Sequence, residues 1–395
     1  MKRSLSLFAL TPALLVASAH AQLVFAPGPG EAPIVSVREP SGAVRSFTAF
    51  DPAFRGGVHV AAGDINGDGL ADIFVGAGPG APGGHVKVFN GSDHGVFRSI
   101  HPYGNTYRGG TYVAVGILLG DRTPDIVVSS DQRPEAGPHV RVFDGATGWH
   151  LYSLDPFPGF NGGVRVAVAD LDGDGFDDII AAPIRPGTTL TLKTYCGRTM
   201  IELPDVIVSS YSVSGHGGDA HVAVIPADFA AGRPSGTILV GMGDGSVRFI
   251  KDSIDVGTWR PFGPSYTGGL SVAVGDVDGD GRLEVVAGSL AGGRIASIAV
   301  DNSDPSGAAT VMEPYGTGFT GGIFVGAPIA PNRCQSADFN RDGDFGTDAD
   351  IEAFFACLAG NCCNACVGAD FNLDGDIGTD ADIEAFFRVL GGGGC

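Results

Sequence analysis

Lysine is almost absent from this chain of 395 residues, in which only Lys2, Lys87, Lys193 and Lys251 occur. Lysine and arginine together number 24 against 44 aspartates and glutamates, and the formal net charge at pH 7 is −20. Nucleic acids and anionic membranes are held by basic patches, so this deficit argues against both as partners. No segment after the N-terminus is long and apolar enough to span a bilayer, so we predict no membrane insertion.

Recognised catalytic motifs are missing as well. The sequence contains no GxSxG elbow and no HExxH helix, and no catalytic Cys–His pair can be placed. We therefore predict that the chain is not an enzyme. A remaining enzymatic hypothesis rests on six residues at one offset of a repeat described below, where a His, Arg and Tyr cluster could perform acid–base chemistry.

The N-terminus is typical of a secretory signal. Lys2 and Arg3 precede a short apolar run that Pro12 interrupts, and Ala19-His20-Ala21 closes it. We predict a signal peptide over residues 1–21, which makes the protein secreted, extracellular or attached to the cell surface. Removing it changes the formal net charge from −20 to −22.

The cysteines are unevenly distributed. Cys196 stands alone and is interpreted as a buried thiol. The other six lie near the C-terminus, and in an exported protein they predict disulfides whose pairing has 15 alternatives. These six are Cys334, Cys357, Cys362, Cys363, Cys366 and Cys395.

A repeat of about 53 residues organises most of the chain. Its marker is a Gly-Gly pair before an apolar stretch, as in "FRGGVHVAAGD" and "YTGGLSVAVGD", and its period decides the architecture. The second glycine of the pair falls at Gly57, Gly110, Gly163, Gly218, Gly269 and Gly322.

Each unit contains four short stretches with period-2 patterning, which predicts four strands per unit and a β-propeller. The start "QLVFAPGPGEAPIVSV" matches a unit from its second strand onward, whereas the sixth unit ends after one strand. These two parts complement each other. We therefore predict a mainly β fold over residues 22–331, a six-bladed propeller closed by its N- and C-terminal strands; an open or seven-bladed arrangement is the alternative.

Three units carry an acidic loop between the first two strands. Oxygen ligands at positions 1, 3, 5 and 9, a backbone carbonyl at position 7 and a glycine after position 5 suit Ca²⁺, which takes six to eight hard oxygens. An acidic turn without an ion is the alternative reading. The predicted ligands are Asp64, Asn66, Asp68, Leu70 and Asp72; Asp170, Asp172, Asp174, Phe176 and Asp178; and Asp276, Asp278, Asp280, Arg282 and Glu284.

These units resemble the FG-GAP repeats of integrin α-subunit propellers and of many secreted bacterial proteins. The resemblance rests on the acidic loops and on stretches such as "GAGPG", and it implies a propeller with Ca²⁺ between strands 1 and 2. The second unit departs from the pattern, because Ile117 and Leu119 replace the first two ligands and leave Asp121 and Asp125. The fourth unit has also lost the pattern, so we expect alternate blades to bind the ion.

Residues 334–395 form a second repeat, of period 32, in which an acidic loop precedes an amphipathic helix. Thr347 and Thr379 suit the helix N-caps. The loops follow the EF-hand pattern, except that Ala349 and Ala381 occupy the twelfth position. Either Asp350 and Asp382 or Asp348 and Asp380 complete the two sites, whose ligands are Asp338, Asn340, Asp342, Asp344 and Asp350, then Asp370, Asn372, Asp374, Asp376 and Asp382.

This tail looks like a dockerin, the calcium-dependent module that docks a secreted protein onto a cohesin receptor. The resemblance implies a small α-helical module and a cohesin-like partner; a cap that stabilises the propeller is the alternative. The leading functional hypothesis is a secreted adhesion or recognition protein with an extracellular protein or carbohydrate ligand. A polysaccharide-active enzyme and a structural cell-surface protein without a discrete ligand are the other hypotheses.

Two further sets of residues recur at fixed places in the repeat. An aromatic residue precedes the Gly-Gly pair in five units, and it either wedges between blades or forms a platform for sugars or peptides. The second set lies at the start of the first strand and is predicted to neighbour the central channel, as filler or as a catalytic cluster. The two sets are Phe54, Tyr107, Phe160, Tyr266 and Phe319, then His59, Tyr112, Arg165, His221, Ser271 and Phe324.

Overall fold

A computed structural model describes most of the chain after the predicted signal peptide. The described residues are 22–119, 123–134, 139–173, 176–184, 189–209, 220–227, 235–280, 282–301, 304–329, 339–340, 346–361, 369, 371 and 378–390. The predicted signal, residues 1–21, lies outside them. Cys334, Cys362, Cys363, Cys366 and Cys395 do so as well.

Twenty-four strands make up the described part of the propeller. The first twelve are β1 (Leu23–Pro27), β2 (Ile34–Arg38), β3 (Val44–Thr48), β4 (Val58–Gly63), β5 (Asp72–Ala77), β6 (Val86–Phe89), β7 (Val96–Ile100), β8 (Thr111–Gly116), β9 (Asp125–Ser130), β10 (Val140–Phe143), β11 (His150–Leu154) and β12 (Val164–Ala169). The others are β13 (Asp178–Pro183), β14 (Thr189–Tyr195), β15 (Val206–Ser209), β16 (His221–Ile225), β17 (Thr237–Gly241), β18 (Val247–Lys251), β19 (Ile254–Trp259), β20 (Leu270–Gly275), β21 (Glu284–Ser289), β22 (Ile295–Asp301), β23 (Asp304–Met312) and β24 (Ile323–Gly326). A short 3-10 turn occupies Pro82–Gly84.

The strands form six antiparallel sheets of four strands each. Blades 1 to 5 are β4–β7, β8–β11, β12–β15, β16–β19 and β20–β23, and they correspond to the first five Gly-Gly units. Blade 6 has the order β24-β1-β2-β3, so the last strand of the propeller pairs with the first. The register joins Val24 to Gly326 and Pro27 to Ile323. The predicted six-bladed propeller and its closure are thus confirmed.

The innermost strands contact one another in a closed cycle, β4, β8, β12, β16, β20, β24 and back to β4. One apolar cluster lies at each of the six interfaces between consecutive blades. The second strands β5, β9, β13 and β21 are buried along their whole length, because both faces of each blade are covered by a neighbour. Their runs of Val and Ile suit this two-sided burial.

The turns divide between two faces of the propeller. The turns between strands 1 and 2 and between strands 3 and 4 meet on one, where the Gly91 N–H donates to Asp72 Oδ1 at 2.8 Å. We call it the acidic face. The 2–3 turns and the connections between blades meet on the other, where the Gly80 N–H donates to the Arg108 carbonyl at 2.8 Å. We call it the connection face.

Two helices follow the propeller, α1 (Asp348–Leu358) and α2 (Asp380–Leu390). They share a small aromatic core in which the rings of Phe354 and Phe386 stack with centroids 4.1 Å apart. Thr347 is the N-cap of α1 with a capping box to Asp350, as predicted. Cys357 is buried and disulfide-bonded. Cys196 is a free thiol, but it is partly exposed and not buried as interpreted from the sequence.

Candidate metal-binding loops and the channel mouth

The acidic loop of blade 1 folds around its own carboxylates. Asp64 accepts the N–H groups of Gly67 at 2.7 Å and Gly69 at 2.8 Å, one on each oxygen. Both glycines have positive φ, 75° and 85°, which side-chain-bearing residues rarely adopt. At the end of the loop, Asp72 is fully buried and accepts the Ile65 N–H at 3.1 Å. The sequence thus turns the loop so that its acidic ends face each other.

The loops of blades 3 and 5 repeat these bonds. Asp170 accepts the Gly173 N–H at 2.6 Å, and Asp276 accepts the Gly279 N–H at 2.7 Å. The last carboxylate of each loop again accepts the N–H of the loop's second residue. The Leu171 N–H donates to Asp178 at 3.0 Å, and the Val277 N–H donates to Glu284 at 2.9 Å. One backbone design therefore recurs in alternate blades.

Three carboxylates converge in each of these two loops. Single oxygens of Asp170, Asp172 and Asp178 lie within 4.8 Å of one another, and so do those of Asp276, Asp278 and Glu284. In blade 1 the third position is Asn66, whose amide nitrogen lies 3.5 Å from Asp72 Oδ1. These donors are all hard oxygens, which fits Ca²⁺ and disfavours zinc or copper.

The fifth and seventh positions lie within the same loops. Asp68 accepts the Leu70 N–H and Asp280 accepts the Arg282 N–H, both at 2.8 Å. Phe176 is described too, with the Arg198 guanidinium 5.2 Å from the centre of its ring. Asp174 lies outside the described residues.

Burial and neighbouring carboxylates raise the pKa of two of these carboxyl groups. The pKa of Asp72 is raised to about 6, mainly by burial and further by Asp68 and Asp64, against the opposing bonds from Gly91 and Ile65. The pKa of Glu284 is raised to about 7, again mainly by burial and further by its three acidic neighbours. Without a cation these loops therefore hold protons in a range where ordinary carboxyl groups are ionised.

Calcium addition should release these protons. Near pH 6 the ion must displace protons from Asp72 and Glu284, whereas at pH 8.5 both groups are already ionised. Calorimetric titration in two buffers of different ionisation enthalpy measures the release directly. We expect apparent enthalpies that differ between buffers at pH 6 and agree at pH 8.5; agreement at both would contradict proton-coupled binding.

The loop of blade 2 lacks the acidic residues that begin the loops of blades 1, 3 and 5. Leu118 is fully buried in the interface with blade 3. The Ile117 N–H donates to Asp177 Oδ2 at 2.7 Å, and the Asp177 N–H donates back to the Ile117 carbonyl at 2.9 Å. Asp125 is buried, and Asp121 lies outside the described residues. This loop therefore fastens two blades together through a carboxylate of the next blade.

The tail helices bury one carboxylate each. Asp350 and Asp382 are fully buried, and Asp348 and Asp380 are exposed. Asp350 accepts the N–H groups of Asn340 at 3.2 Å and Thr347 at 2.9 Å, while Asp382 accepts the Thr379 N–H at 2.7 Å. This geometry favours Asp350 and Asp382 over their rivals as the residues facing the loops. The remaining predicted tail ligands lie outside the described residues: Asp338, Asp342, Asp344, Asp370, Asn372, Asp374 and Asp376.

The first-strand set gathers at one end of the ring axis, on the connection face. His59 packs against Tyr112 and Phe324, with ring centroids 4.2 and 4.4 Å apart, and the Arg165 guanidinium lies 3.5 Å from the Tyr112 ring centre. Phe324 also contacts His221, at 5.6 Å. Burial, and next the charge of Arg165, hold the pKa of both histidines well below the usual value.

The aromatic residues before the Gly-Gly pairs lie over the first glycine of the pair. A Cβ on Gly56 would meet the Phe54 ring at 2.5 Å, and Gly109, Gly162, Gly268 and Gly321 have the same relation to their own aromatic. The Tyr107 hydroxyl donates to the Gly110 carbonyl at 2.9 Å. These contacts agree with a wedge role.

A second aromatic, three or four residues earlier, completes each wedge. Tyr103 packs against Tyr107 with centroids 4.9 Å apart, and the other pairs are Phe50 with Phe54, Phe157 with Phe160, Phe262 with Tyr266 and Tyr315 with Phe319. Our sequence analysis missed this partner. The sequence does indicate it, because in five units a second aromatic residue recurs three or four positions before the aromatic residue of the Gly-Gly pair.

Two family models match stretches of the propeller. Residues 56–89 match the family model of the FG-GAP repeat, and residues 118–181 match that of the FG-GAP-like repeat. Two stretches of the propeller are therefore similar to FG-GAP repeats. Phosphatidylinositol-glycan-specific phospholipase D of Rattus norvegicus is 30% identical over a stretch that covers 36% of this chain and 20% of the enzyme's own length. The WD40 repeats of RRP9 superpose with a TM-score of 0.36 at 13% identity, over 63% of this chain and 64% of theirs.

Among the described residues we find no helix with the length and apolar character needed to cross a membrane.

Proposed function

We propose that this chain is a secreted, calcium-binding recognition protein. The observation that carries the proposal is the recurrence of one carboxylate loop in blades 1, 3 and 5, with three carboxylate oxygens within 4.8 Å of one another in two of them. Bare carboxylates about 4 Å apart repel by roughly 4 kcal/mol at a near-surface dielectric, and a cation removes that cost. The ion supplies charge compensation that holds each loop against its blade.

The residues that hold the ion differ in their contributions. The third side chains, those of Asn66, Asp172 and Asp278, are exposed, whereas the first are half-buried in blades 1 and 3 and buried in blade 5. The backbone carbonyls of Leu70, Phe176 and Arg282 complete the proposed set. The last carboxylate, Asp72, Asp178 or Glu284, is buried and tied to its own loop. It therefore anchors the ion to the start of the second strand, while the rest of the loop orients around it.

The tail is proposed to be a dockerin-like, EF-hand module that attaches the protein to a receptor. Support comes from the period-32 repeat, the two helices and the buried pair Asp350 and Asp382. Secretion is supported by the signal-like N-terminus and by the FG-GAP repeats, and adhesion by the platform character of the propeller. An enzymatic role has weaker support, because the matched phospholipase D shares only 20% of its length with this chain.

Calcium titration tests the ion sites. A chain of residues 22–329 should bind three ions with dissociation constants of about 10⁻⁴ to 10⁻³ M, as extracellular modules do, and the full chain up to two more. Asp172→Ala, which removes the side-chain oxygens altogether, should abolish one site. Asp252→Asn, an equal charge change in the exposed turn between β18 and β19, should leave all three. Six sites, or none, would overturn the alternate-blade assignment.

A glycan and cell-wall array tests recognition. The mature protein in calcium should be retained on a subset of ligands without releasing products. Product release would favour the polysaccharide-active enzyme, and failure to bind any ligand would favour a structural protein.

A further inference from the structure

Two arginines on the connection face are held in the same way in consecutive connections. Arg55 Nη1 donates to the carbonyls of Pro52 and Phe54, the latter at 2.9 Å. Arg108 Nη1 donates to the carbonyls of Asn105 and Tyr107, again 2.9 Å for the aromatic residue. One nitrogen of each guanidinium is thus bonded to backbone, and the group is pre-oriented before any ligand arrives.

Both side chains remain exposed. Among the described residues no carboxylate forms an ion pair with either guanidinium. The bonds that hold the turn use Nη1, which leaves the donors on Nε and Nη2 for a ligand.

The next connection provides a contrast. Asn161 occupies the equivalent position, and Arg133 from a 2–3 turn donates Nη1 to the Phe160 carbonyl at 3.3 Å instead. Arg133 is paired with Asp155 at 2.7 Å, which cancels its charge. A guanidinium on the aromatic carbonyl is therefore a structural device in three connections, but only Arg55 and Arg108 keep an uncompensated charge at the surface.

Both arginines are close in sequence to residues at the channel mouth. Arg55 is four residues before His59, and Arg108 is four residues before Tyr112. The Arg165 guanidinium lies over the Tyr112 ring, and after burial its charge is the next cause that lowers the pKa of His59 and His221. Guanidinium groups thus occur both at the rim of two consecutive blades and at the channel mouth.

The rest of the protein repels anions. The chain is strongly acidic, and its carboxylates crowd the acidic face, as in the loops around Asp64, Asp170 and Asp276. Among the described residues, Arg198 and Arg282 are also exposed without a carboxylate partner, but they lie at the acidic loops. On the connection face, Arg55 and Arg108 are the exposed guanidinium groups of the described surface that stand without one.

We propose that the connection face binds an anionic polysaccharide, whose carboxylate or sulfate groups contact Arg55 and Arg108. A polymer with regularly spaced negative charges fits two equivalent guanidinium groups on consecutive blades, since each can donate two parallel hydrogen bonds to one oxyanion. Nucleic acid is disfavoured by the overall acidic charge. This inference rests on the proposed function as a recognition platform and names the chemistry of its ligand.

Binding of defined polymers to the full mature chain tests the proposal. Dextran sulfate supplies sulfate, hyaluronan supplies carboxylate, and neutral dextran is the reference; retention by one charged polymer but not the other identifies the group. The variant is Arg55→Gln with Arg108→Gln. Its control is Arg45→Gln with Arg388→Gln, which removes equal charge from an exposed strand residue and from α2.

We expect binding of at least one charged polymer, weakened about tenfold by the double variant and unchanged by the control. Calcium on the acidic face offers a competing route, which Asp64→Ala, Asp172→Ala and Asp278→Ala together remove. Loss of binding in that variant alone would overturn the proposal. Equal, arginine-dependent binding of poly-glutamate would overturn the assignment to sugars.

The outcomes also separate this inference from the recognition function. If neither charged polymer binds while the array reports a neutral ligand, the platform stands and the anionic site is wrong. If nothing binds in either experiment, both are wrong.

Discussion

A chain of residues 22–320 should fail to form the cooperative fold that residues 22–329 form. The missing segment contains β24, which pairs with β1 and contacts the innermost strands of blades 1 and 5. Its removal exposes the edge of β1 and takes Ile323 and Val325 from an apolar cluster. Each such loss costs about 2–5 kcal/mol, against a total stability of about 5–15 kcal/mol.

Urea unfolding followed by circular dichroism, with size-exclusion chromatography, measures this difference. Both chains lack the tail, so the comparison isolates nine residues around β24. Ile323→Ala in the longer chain gives a graded version, with an expected loss of about 2–5 kcal/mol. If residues 22–320 remained monomeric and unfolded with the same midpoint, closure by β24 would not be what stabilises the ring.

The sequence predicted the propeller because its period and its two incomplete ends have a direct structural meaning. Gly57 and Gly322 mark equivalent places in the first and sixth units, and the start of the chain matches a unit that lacks its first strand. A sheet with an unpaired edge is a liability, so the two ends were expected to pair. The antiparallel pairing of Val24 with Gly326 confirms that expectation.

The spacing of residues in the sequence could not by itself predict which way a side chain points. Asp348 and Asp350 are two residues apart on one helix, and only the helical geometry buries Asp350 while leaving Asp348 exposed. The bond between Ile117 and Asp177 joins residues of two blades, and no periodicity within a unit indicates it. Contacts between repeats, unlike the strands within them, depend on how neighbouring units pack.

The acidic loop of blade 3 is bonded to both neighbouring blades. Besides the contact of Asp177 with blade 2, the Ala227 N–H donates to the Asp170 carbonyl at 2.8 Å and the Gly236 N–H to the Leu171 carbonyl at 2.7 Å. Blades 2 and 4, which lack the acidic pattern, therefore both form hydrogen bonds with the acidic loop of blade 3. An ion that orders this loop would also stabilise two interfaces between blades.

Tyr107→Ala should be among the most destabilising single substitutions in the propeller. The side chain is 6% exposed, packs on Tyr103 and donates its hydroxyl to the Gly110 carbonyl and, at 3.0 Å, to Asp131 Oδ1. We expect a loss of about 3–5 kcal/mol for the ring, measured by urea unfolding of residues 22–329. Phe54→Ala should cost less, because Phe54 is only half-buried.

Two further variants separate the parts of this effect. Tyr107→Phe keeps the ring and removes the hydroxyl from buried acceptors, and should cost about 1–3 kcal/mol. Trp149→Ala removes a larger ring that is 76% exposed, and should change stability by less than about 0.5 kcal/mol. A ligand platform would show the opposite pattern, with Tyr107→Ala unfolding normally and losing retention on the array. Because the Tyr107 ring is covered on both sides, we expect the stability loss.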